Sequence, residues 1–467
     1  LTASAVGAQP LMAASPPLQT LAASVALTLQ HNKTIQAAYL DRNAQRFDLR
    51  VAESKFNPRF GLAPGLSRGQ ATVSDNPALT ANTASLQLTA EQDLPNGARI
   101  SLNAGETNSQ SPGANTQRNQ NWAVALTQPL LKGAGTDAAT ASVRLAQLTE
   151  QTHLLSLKSV ISNTLTDVIR NYRQYVRTLR ALDISRQSVA RALDLLAINR
   201  TLIQSGRMAE IDLVQSESDL ANQEFGLVAA ENDADTARLT LLKVLGMDPD
   251  TPFQPELELS VEPVTYELAH ALQTARANRP DVLAAELAVT LAETRLLTAR
   301  NQQLPDLSLV ASYGRNRIAF DNASSLPTPS QWSLGLRLNV PFNDLRIEQA
   351  VVAAQVEKDK AVLRLAQEQD NLTLEVRNAL RQVDLSWRQV NLSQRALNLA
   401  DRKFEVETEK FKVGRSSNFQ LVSFKNDLVT AQNNALNASI AYLDAVASLD
   451  ATLGTVLDTW QVTLTPR

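Results

Sequence analysis

Val383-Asp384-Leu385-Ser386-Trp387-Arg388-Gln389-Val390-Asn391-Leu392-Ser393-Gln394-Arg395-Ala396-Leu397-Asn398-Leu399-Ala400 is the middle of a longer stretch, Arg346 to Phe411, that contains neither proline nor glycine. Read as helix, that stretch is a rod of roughly 100 Å, far longer than a compact domain needs. Apolar residues recur along it at intervals of seven: Val362, Val376, Val383, Val390, Leu397 and Phe404 share one position, interrupted by Gln369. Leu365, Leu372, Ala379 and Ala400 follow three residues on, diluted by Ser386 and Ser393, as a coiled-coil seam requires. Leu385, Leu392, Leu399 and Val406 make a second line on a neighbouring face. One seam suits a two-stranded coil, whereas two seams demand a neighbour on each side, as in a bundle or the wall of a cylinder. The rod ends at Lys412-Val413-Gly414-Arg415-Ser416-Ser417, where glycine supplies the turn.

Composition agrees with long helices. The 467 residues are 4% aromatic and include 16 Gly and 19 Pro. With 44 Lys and Arg against 47 Asp and Glu the net charge is −3, so no basic excess points to nucleic acid. The absence of cysteine removes disulfides, thiolate metal sites and a cysteine nucleophile. Residues 1–17, rich in Pro, Ala and Ser, are expected to be flexible, and Ala3 to Ala8 reads equally as the small-residue end of a signal peptide. No run of 18 apolar residues exists, so a membrane crossing would have to be a β-barrel.

Taken in order, a first helix is expected from about Leu18 to Lys55, ended by Asn57-Pro58. From Arg59 the period becomes two: Phe60, Leu62 and Leu66, then Ser85 to Thr89, Arg99 to Asn103 and Trp122 to Thr127. Leu94-Pro95-Asn96-Gly97 between the middle pair is a hairpin turn, and polar linkers, Gly69 to Thr83 and Glu106 to Gln120, separate the others. Modest one-faced alternation of this kind is how barrel strands read. Pro129 closes the block. A second long helix is expected from Asp137 to Gln204, a turn at Ser205-Gly206-Arg207, and a return helix from Met208 to Leu245 that stops at Gly246-Met247-Asp248-Pro249. Lys132-Gly133-Ala134-Gly135 lacks the Lys-Ser/Thr of a phosphate loop and reads as a strand-to-helix turn.

The same order then repeats: helix from about Tyr266 to Gln303, Leu304-Pro305, strands at Leu307 to Tyr313 and Trp332 to Val340, Pro341, the long helix, its turn, and a return helix ending at Leu453-Gly454. Asn32 maps onto Asn278 with an offset of 246, and Pro58 onto Pro305 with 247. Pro129 maps onto Pro341 with 212, while Gly206 onto Gly414, Asp219 onto Asp427 and Gly246 onto Gly454 all share 208. The offset falls by 35 residues within the strands alone, so the first half carries one additional hairpin, assigned to about Ser85–Asn108. The chain reads as a duplication with one insertion.

This plan resembles the TolC family of outer-membrane channel proteins over roughly Ser24 to Asp458. The resemblance is carried by Glu53-Ser54-Lys55-Phe56-Asn57-Pro58, Leu126-Thr127-Gln128-Pro129-Leu130-Leu131, and the turns Gly206-Arg207 and Val413-Gly414-Arg415. It implies a mostly α protein with a β-barrel portion, internally duplicated and trimeric. Four strands per protomer, plus the additional hairpin, would form an outer-membrane β-barrel continuous with a long periplasmic α-helical barrel. The implied division is periplasmic helices at 18–57, 137–304 and 346–457 (repeats 18–250 and 266–458) and strands with extracellular loops at 58–136 and 305–345. Residues 248–266 and 458–467 would be equatorial segments. If the hairpin joins the sheet the trimer closes 18 strands, and if it folds over the mouth, 12; the expectation is an extracellular projection continuous with the barrel strands.

The implied function is an outer-membrane exit duct that passively conducts substrate from an inner-membrane pump, of ABC or RND type, through the periplasm by way of a periplasmic adaptor. That covers multidrug or solvent efflux and type I protein secretion. The competing reading is a coiled-coil structural scaffold of the cell envelope. No enzyme activity, cofactor, metal or nucleic-acid partner is expected. His31, His153 and His270 are scattered, and the carboxylates Asp212, Glu217 and Asp219 read as a solvated helix face. By the resemblance the periplasmic gate falls at Asp212, Arg207 and Arg415, with Gln420 and Ser423 occupying positions where the family has gate aspartates. Adaptor docking falls at the tip residues Ser205, Gly206, Val413 and Gly414.

Overall fold

The computed structural model describes residues 18–71, 79–111, 115–258, 260–321 and 328–463. The flexible segment expected at 1–17, parts of the polar linkers and the end of the tail, 464–467, lie outside the described residues. The fold is mostly helical, with one antiparallel sheet. In order it comprises β1 (Leu18–Gln19), α1 (Leu21–His31), α2 (Lys33–Glu53), β2 (Arg59–Ala71), β3 (Leu79–Asp93), β4 (Arg99–Gln110), β5 (Gln117–Pro129), α3 (Thr136–Gln204) and α4 (Glu210–Leu245). There follow β6 (Gln254–Pro255), α5 (Leu268–Asn278), α6 (Pro280–Gln303), β7 (Asp306–Phe320), β8 (Ser330–Asn339), α7 (Leu345–Lys412), α8 (Asn418–Leu453) and α9 (Val456–Thr459).

Two segments expected as single helices are each broken. The helix from Leu18 divides at Asn32, whose backbone is extended (φ −65°, ψ 122°) and whose side-chain oxygen accepts from the N–H groups of Thr34 and Ile35, capping α2. The helix from Tyr266 divides at Arg279 (φ −70°, ψ 121°). Pro280 lacks an N–H and disfavours helical geometry in the residue before it.

The chain separates into two units. The first (Leu1–Asp41, Leu155–Leu283, Glu368–Arg467) is helical and holds its core in clusters that reflect the duplication. Val168, Tyr172 and Val176 of α3 pack with Leu241, Leu242 and Leu245 of α4, and Leu372, Val376 and Val383 of α7 pack with Tyr442, Leu449 and Leu453 of α8. The middle of the first seam read from the sequence, from Leu372 to Val390, thus closes inside the chain, while Val362 at its start is exposed. The second stays open: Leu385, Leu392, Leu399 and Val406 are exposed, Leu392 at 63% and Leu399 at 70%. Buried tyrosines pin the connecting segments, for the Tyr172 hydroxyl donates to the Gln19 carbonyl (2.9 Å) and the Tyr442 hydroxyl to that of Glu262 (2.7 Å).

The second unit (Arg42–Leu154, Ala284–Gln367) contains a six-stranded antiparallel sheet in the order β2-β3-β4-β5-β7-β8. The additional hairpin is β3–β4. It is no projection: β3 pairs with β2 from Leu79 to Glu91 and β4 with β5 from Arg99 to Ser109, so both strands lie inside the sheet. Its tight turn is on the helix-joined side, where Gly97 (φ 91°) abuts the Gly133 carbonyl. The strands run further into the polar linkers than hydrophobic alternation indicated, because ladder hydrogen bonds satisfy backbone whatever the side chain.

Register and pleat sort the side chains into two faces. One carries Phe60, Leu62 and Leu66 of β2, Leu86 and Leu88 of β3, Ile100 and Leu102 of β4, Trp122, Val124 and Leu126 of β5, Leu309 and Tyr313 of β7, and Trp332 to Leu338 at alternate positions of β8. The other is small and polar, with Gly61, Ser85, Ser101, Asn103, Ser312 and Ser333 among its members. Among the described residues no helix is long and apolar enough to cross a membrane.

Candidate functional site

The turns α3–α4 and α7–α8 both lie in the first unit and are built alike. After α3, Gly206 (φ 69°) donates its N–H to Ile203 O (2.9 Å), and Arg207 donates to Leu202 O (2.9 Å). After α7, Gly414 (φ 76°) donates to Phe411 O (3.0 Å), and Arg415 to Lys410 O (2.8 Å). These paired bonds need a left-handed residue, which is why glycine stands at both positions. The return helices start differently. Ser417 caps α8 by accepting from the Gln420 N–H (3.3 Å), whereas Ala209 before α4 has no side chain able to do so.

The structure brings the turns together. The Arg207 guanidinium lies 3.9 Å from where a side chain on Gly414 would begin. Arg207, Arg415, Ser205, Val413 and Gln420 are exposed, while Asp212 and Ser423 are half-buried. Among the described residues no ion pair joins Arg207 or Arg415 to Asp212 or Glu210 within the chain. Asp212 contributes its backbone carbonyl instead, accepting from Ser216 Oγ (3.1 Å) and Asn418 Nδ2 (3.2 Å).

Behind the turns lies a polar core that the sequence did not disclose. Asn199 of α3, Ser216 of α4 and Asn418 of α8 are all buried. Asn199 Nδ2 donates to Ser216 Oγ (2.7 Å) and to Asn418 Oδ1 (2.9 Å). Two turns of helix further, Lys425 (1% exposed) donates to Asp219 (7% exposed), joining α8 to α4. Asp219 is therefore not on a solvated face. Glu217 is, and its partner is Arg200 (3.4 Å). The one signal available in the sequence was the repeat itself, since Lys425 stands 208 residues after Glu217 and so reverses the charge at an equivalent site.

Glu407, also buried, is a second residue that sequence reasoning missed. The Ser416 hydroxyl donates to its carboxylate (2.5 Å) and Lys410 lies 3.2 Å away. The Ser416 bond holds this carboxyl below its ordinary range, against the opposing effect of burial. None of these groups forms a nucleophile–base constellation. The bonds among Asn199, Ser216 and Asn418 and the Lys425–Asp219 pair tie α3, α4 and α8 to one another, while Glu407 ties the end of α7 to its own turn.

Comparison with known proteins gives a consistent picture. Residues 271–455 match the family described as outer membrane efflux protein. The outer membrane efflux protein BepC of Brucella suis is 21% identical over 307 residues, covering 63% of this chain and 66% of BepC. Protein CyaE of Bordetella pertussis is 25% identical over 313 residues, covering 64% of this chain and 62% of CyaE. These matches thus span less than two thirds of either relative. Among solved structures, CusC superposes with a TM-score of 0.71 at 15% identity, covering 93% of this chain and 92% of that one, and so shares the fold.

Proposed function

We propose that the chain is a member of the outer membrane efflux protein family and the outer-membrane exit duct of a tripartite export system, for efflux of small molecules or type I secretion of protein. It would work as a homotrimer, with the sheet in the outer membrane and the helices as its periplasmic conduit, joined through an adaptor to an inner-membrane pump. It catalyses nothing.

The observation that carries this reading is the sheet. One face is apolar, and the outer edges of β2 and β8 are left without a partner strand among the described residues. Open edges are untenable in lipid, so the sheet must close on other copies. The apolar band is also staggered. Trp332, Tyr313, Val124, Leu102, Ala90 and Phe60 form one register row. The band ends at Trp332 on β8 but continues to Leu66 on β2, six residues beyond Phe60. Strand tilt in a closed barrel requires such a drift. Three copies, each contributing six strands, make a barrel of 18, a size that encloses water rather than packed side chains. The additional hairpin would then widen the pore relative to the family's four-strand plan.

The exposed seam on α7 supports the same assembly. Leu392→Glu with Leu399→Glu alters side chains that are 63% and 70% exposed, so the protomer fold is expected to survive while the trimer is lost. Light scattering of the detergent-solubilised protein reads this directly. A wild type of about three times 50.8 kDa that inserts into bilayers as a pore supports the reading, and a water-soluble monomer overturns it in favour of a scaffold.

At the tip, Arg207, Arg415 and Asp212 would bridge to a neighbouring protomer and keep the aperture narrow. Ser205, Gly206, Val413 and Gly414 would meet the adaptor. Asp212→Ala with Arg415→Ala is expected to raise single-channel conductance in a planar bilayer, and unchanged conductance would sink the lock. With Gln420 and Ser423 in place of acidic residues, weak cation preference is expected in the same recordings.

A further inference from the structure

We propose that Arg118, Arg315 and Arg317 form a binding site for the phosphate-bearing headgroup of an outer-leaflet lipid. The inference rests on the sheet being the membrane-spanning part. On the apolar face, the last rows before the hairpin tips change character abruptly. Trp122 and Tyr313 stack edge to face at 5.5 Å, and Tyr313 pairs across the ladder with Trp332. Such aromatics mark the level where hydrocarbon gives way to headgroups. Immediately beyond them on the same face stand Arg315 and Arg317 of β7 and Arg118 of β5. Arg315 is paired with Trp122, and Arg317 with Gln120, so the three guanidinium groups crowd onto two adjacent strands.

Their charges are not consumed within the chain. Arg315 and Arg317 are exposed and, among the described residues, have no carboxylate partner. Arg118 lies 3.3 Å from Glu106 and donates to Asn108 Oδ1 (3.2 Å), while Glu106 is also bonded by Gln120 (2.8 Å) and Asn108 (3.2 Å). The patch therefore keeps a positive excess at the headgroup level. Guanidinium groups match phosphate oxygens in pairs. A neutral headgroup would leave these cations without counter-charge, so charge complementarity selects a phosphorylated one.

The test uses the trimer in detergent and native mass spectrometry after incubation with lipid A, with dephosphorylated lipid A as the comparison and inorganic phosphate as competitor. The wild type is expected to retain lipid A and not its dephosphorylated form. Arg118→Gln with Arg315→Gln and Arg317→Gln is expected to lose that retention by at least about tenfold, as expected for removing three interfacial cations. Glu106→Gln, which frees Arg118, should strengthen it, and Arg337→Gln, on the opposite face of β8, should leave it unchanged. Equal retention of both lipids, equal retention by the triple variant, or displacement by inorganic phosphate at matching concentration would each overturn the site. A wild type that forms no detergent-dependent trimer would overturn the channel reading with it, whereas an intact pore without lipid selectivity overturns this inference alone.

Discussion

Lys425→Met is expected to destabilise the turn-proximal end of the helical unit by about 3–5 kcal/mol, the usual cost of stripping one partner from a buried ion pair. Lys425 is 1% exposed and Asp219 7%. Removing the ammonium leaves a carboxylate among packed helices with, among the described residues, a 3.4 Å bond from Gln223 for compensation. Methionine conserves the volume of the stem, so the loss isolates the charge rather than a cavity. The double variant Asp219→Leu with Lys425→Met should recover most of the loss, because two apolar side chains of suitable size replace a pair whose desolvation was itself costly. Thermal unfolding reads the global effect, and hydrogen exchange along 210–225 and 418–430 reads where it falls. A single variant as stable as the wild type would mean that water reaches the pair. If the tip must open, this tie between α4 and α8 is a buried counterpart to the exposed arginines, and the single variant should also open it more readily.

Gly246→Ala is expected to cost roughly 2–4 kcal/mol, combining the penalty of a left-handed residue with that of overpacking. Gly246 ends α4 at φ 77°, and a Cβ there would lie 2.4 Å from the His31 carbonyl oxygen and 3.1 Å from Asn32 Cα. Backbone cannot rotate aside. The Asn32 side chain donates to Val244 O (2.6 Å), which draws the break between α1 and α2 onto the same helix end. Gly454 repeats the arrangement at the end of α8, its Cβ meeting Asn278 C and O at 2.9 Å. Gly206 and Gly414 have equally positive φ, but Gly206 faces open space and Gly414 only the end of the Arg207 side chain, so alanine there should cost no more than about 1–2 kcal/mol. The expected order is thus Gly246 and Gly454 well ahead of Gly206 and Gly414. Equal melting temperatures for all four alanine variants would refute the close-approach argument.

These contrasts separate what was legible early from what was not. The heptads of α7, the glycine turns and the closing prolines are local signals, and the constant offset of 208 tied the halves together without any contact being known. The position of the additional hairpin was legible within a few residues, but its place was not. Alternation in β3 and β4 is as good for a strand that projects as for one that pairs, and only the ladder from Leu79 to Glu91 decides between them. The reading of a single helix from Tyr266 to Gln303 passed over Pro280, which breaks it before α6, and Asn32 needed its capping bonds to be recognised as the equivalent break before α2.

The two helix turns were legible in the sequence from the glycine and arginine at each, whereas the polar core of Asn199, Ser216 and Asn418 and the pair Asp219–Lys425 did not stand out among ordinary helix-surface residues. The sequence by itself determined the duplication, the long helices and the alternating strands, because each arises from periodicity or from backbone chemistry within a few residues. The tertiary structure alone decided which seam closes internally, how many strands share the sheet, and which polar side chains are buried together. Those outcomes depend on contacts such as Asp219–Lys425, whose partners lie 206 residues apart, and no local pattern encodes the burial that gives a distant pair its strength.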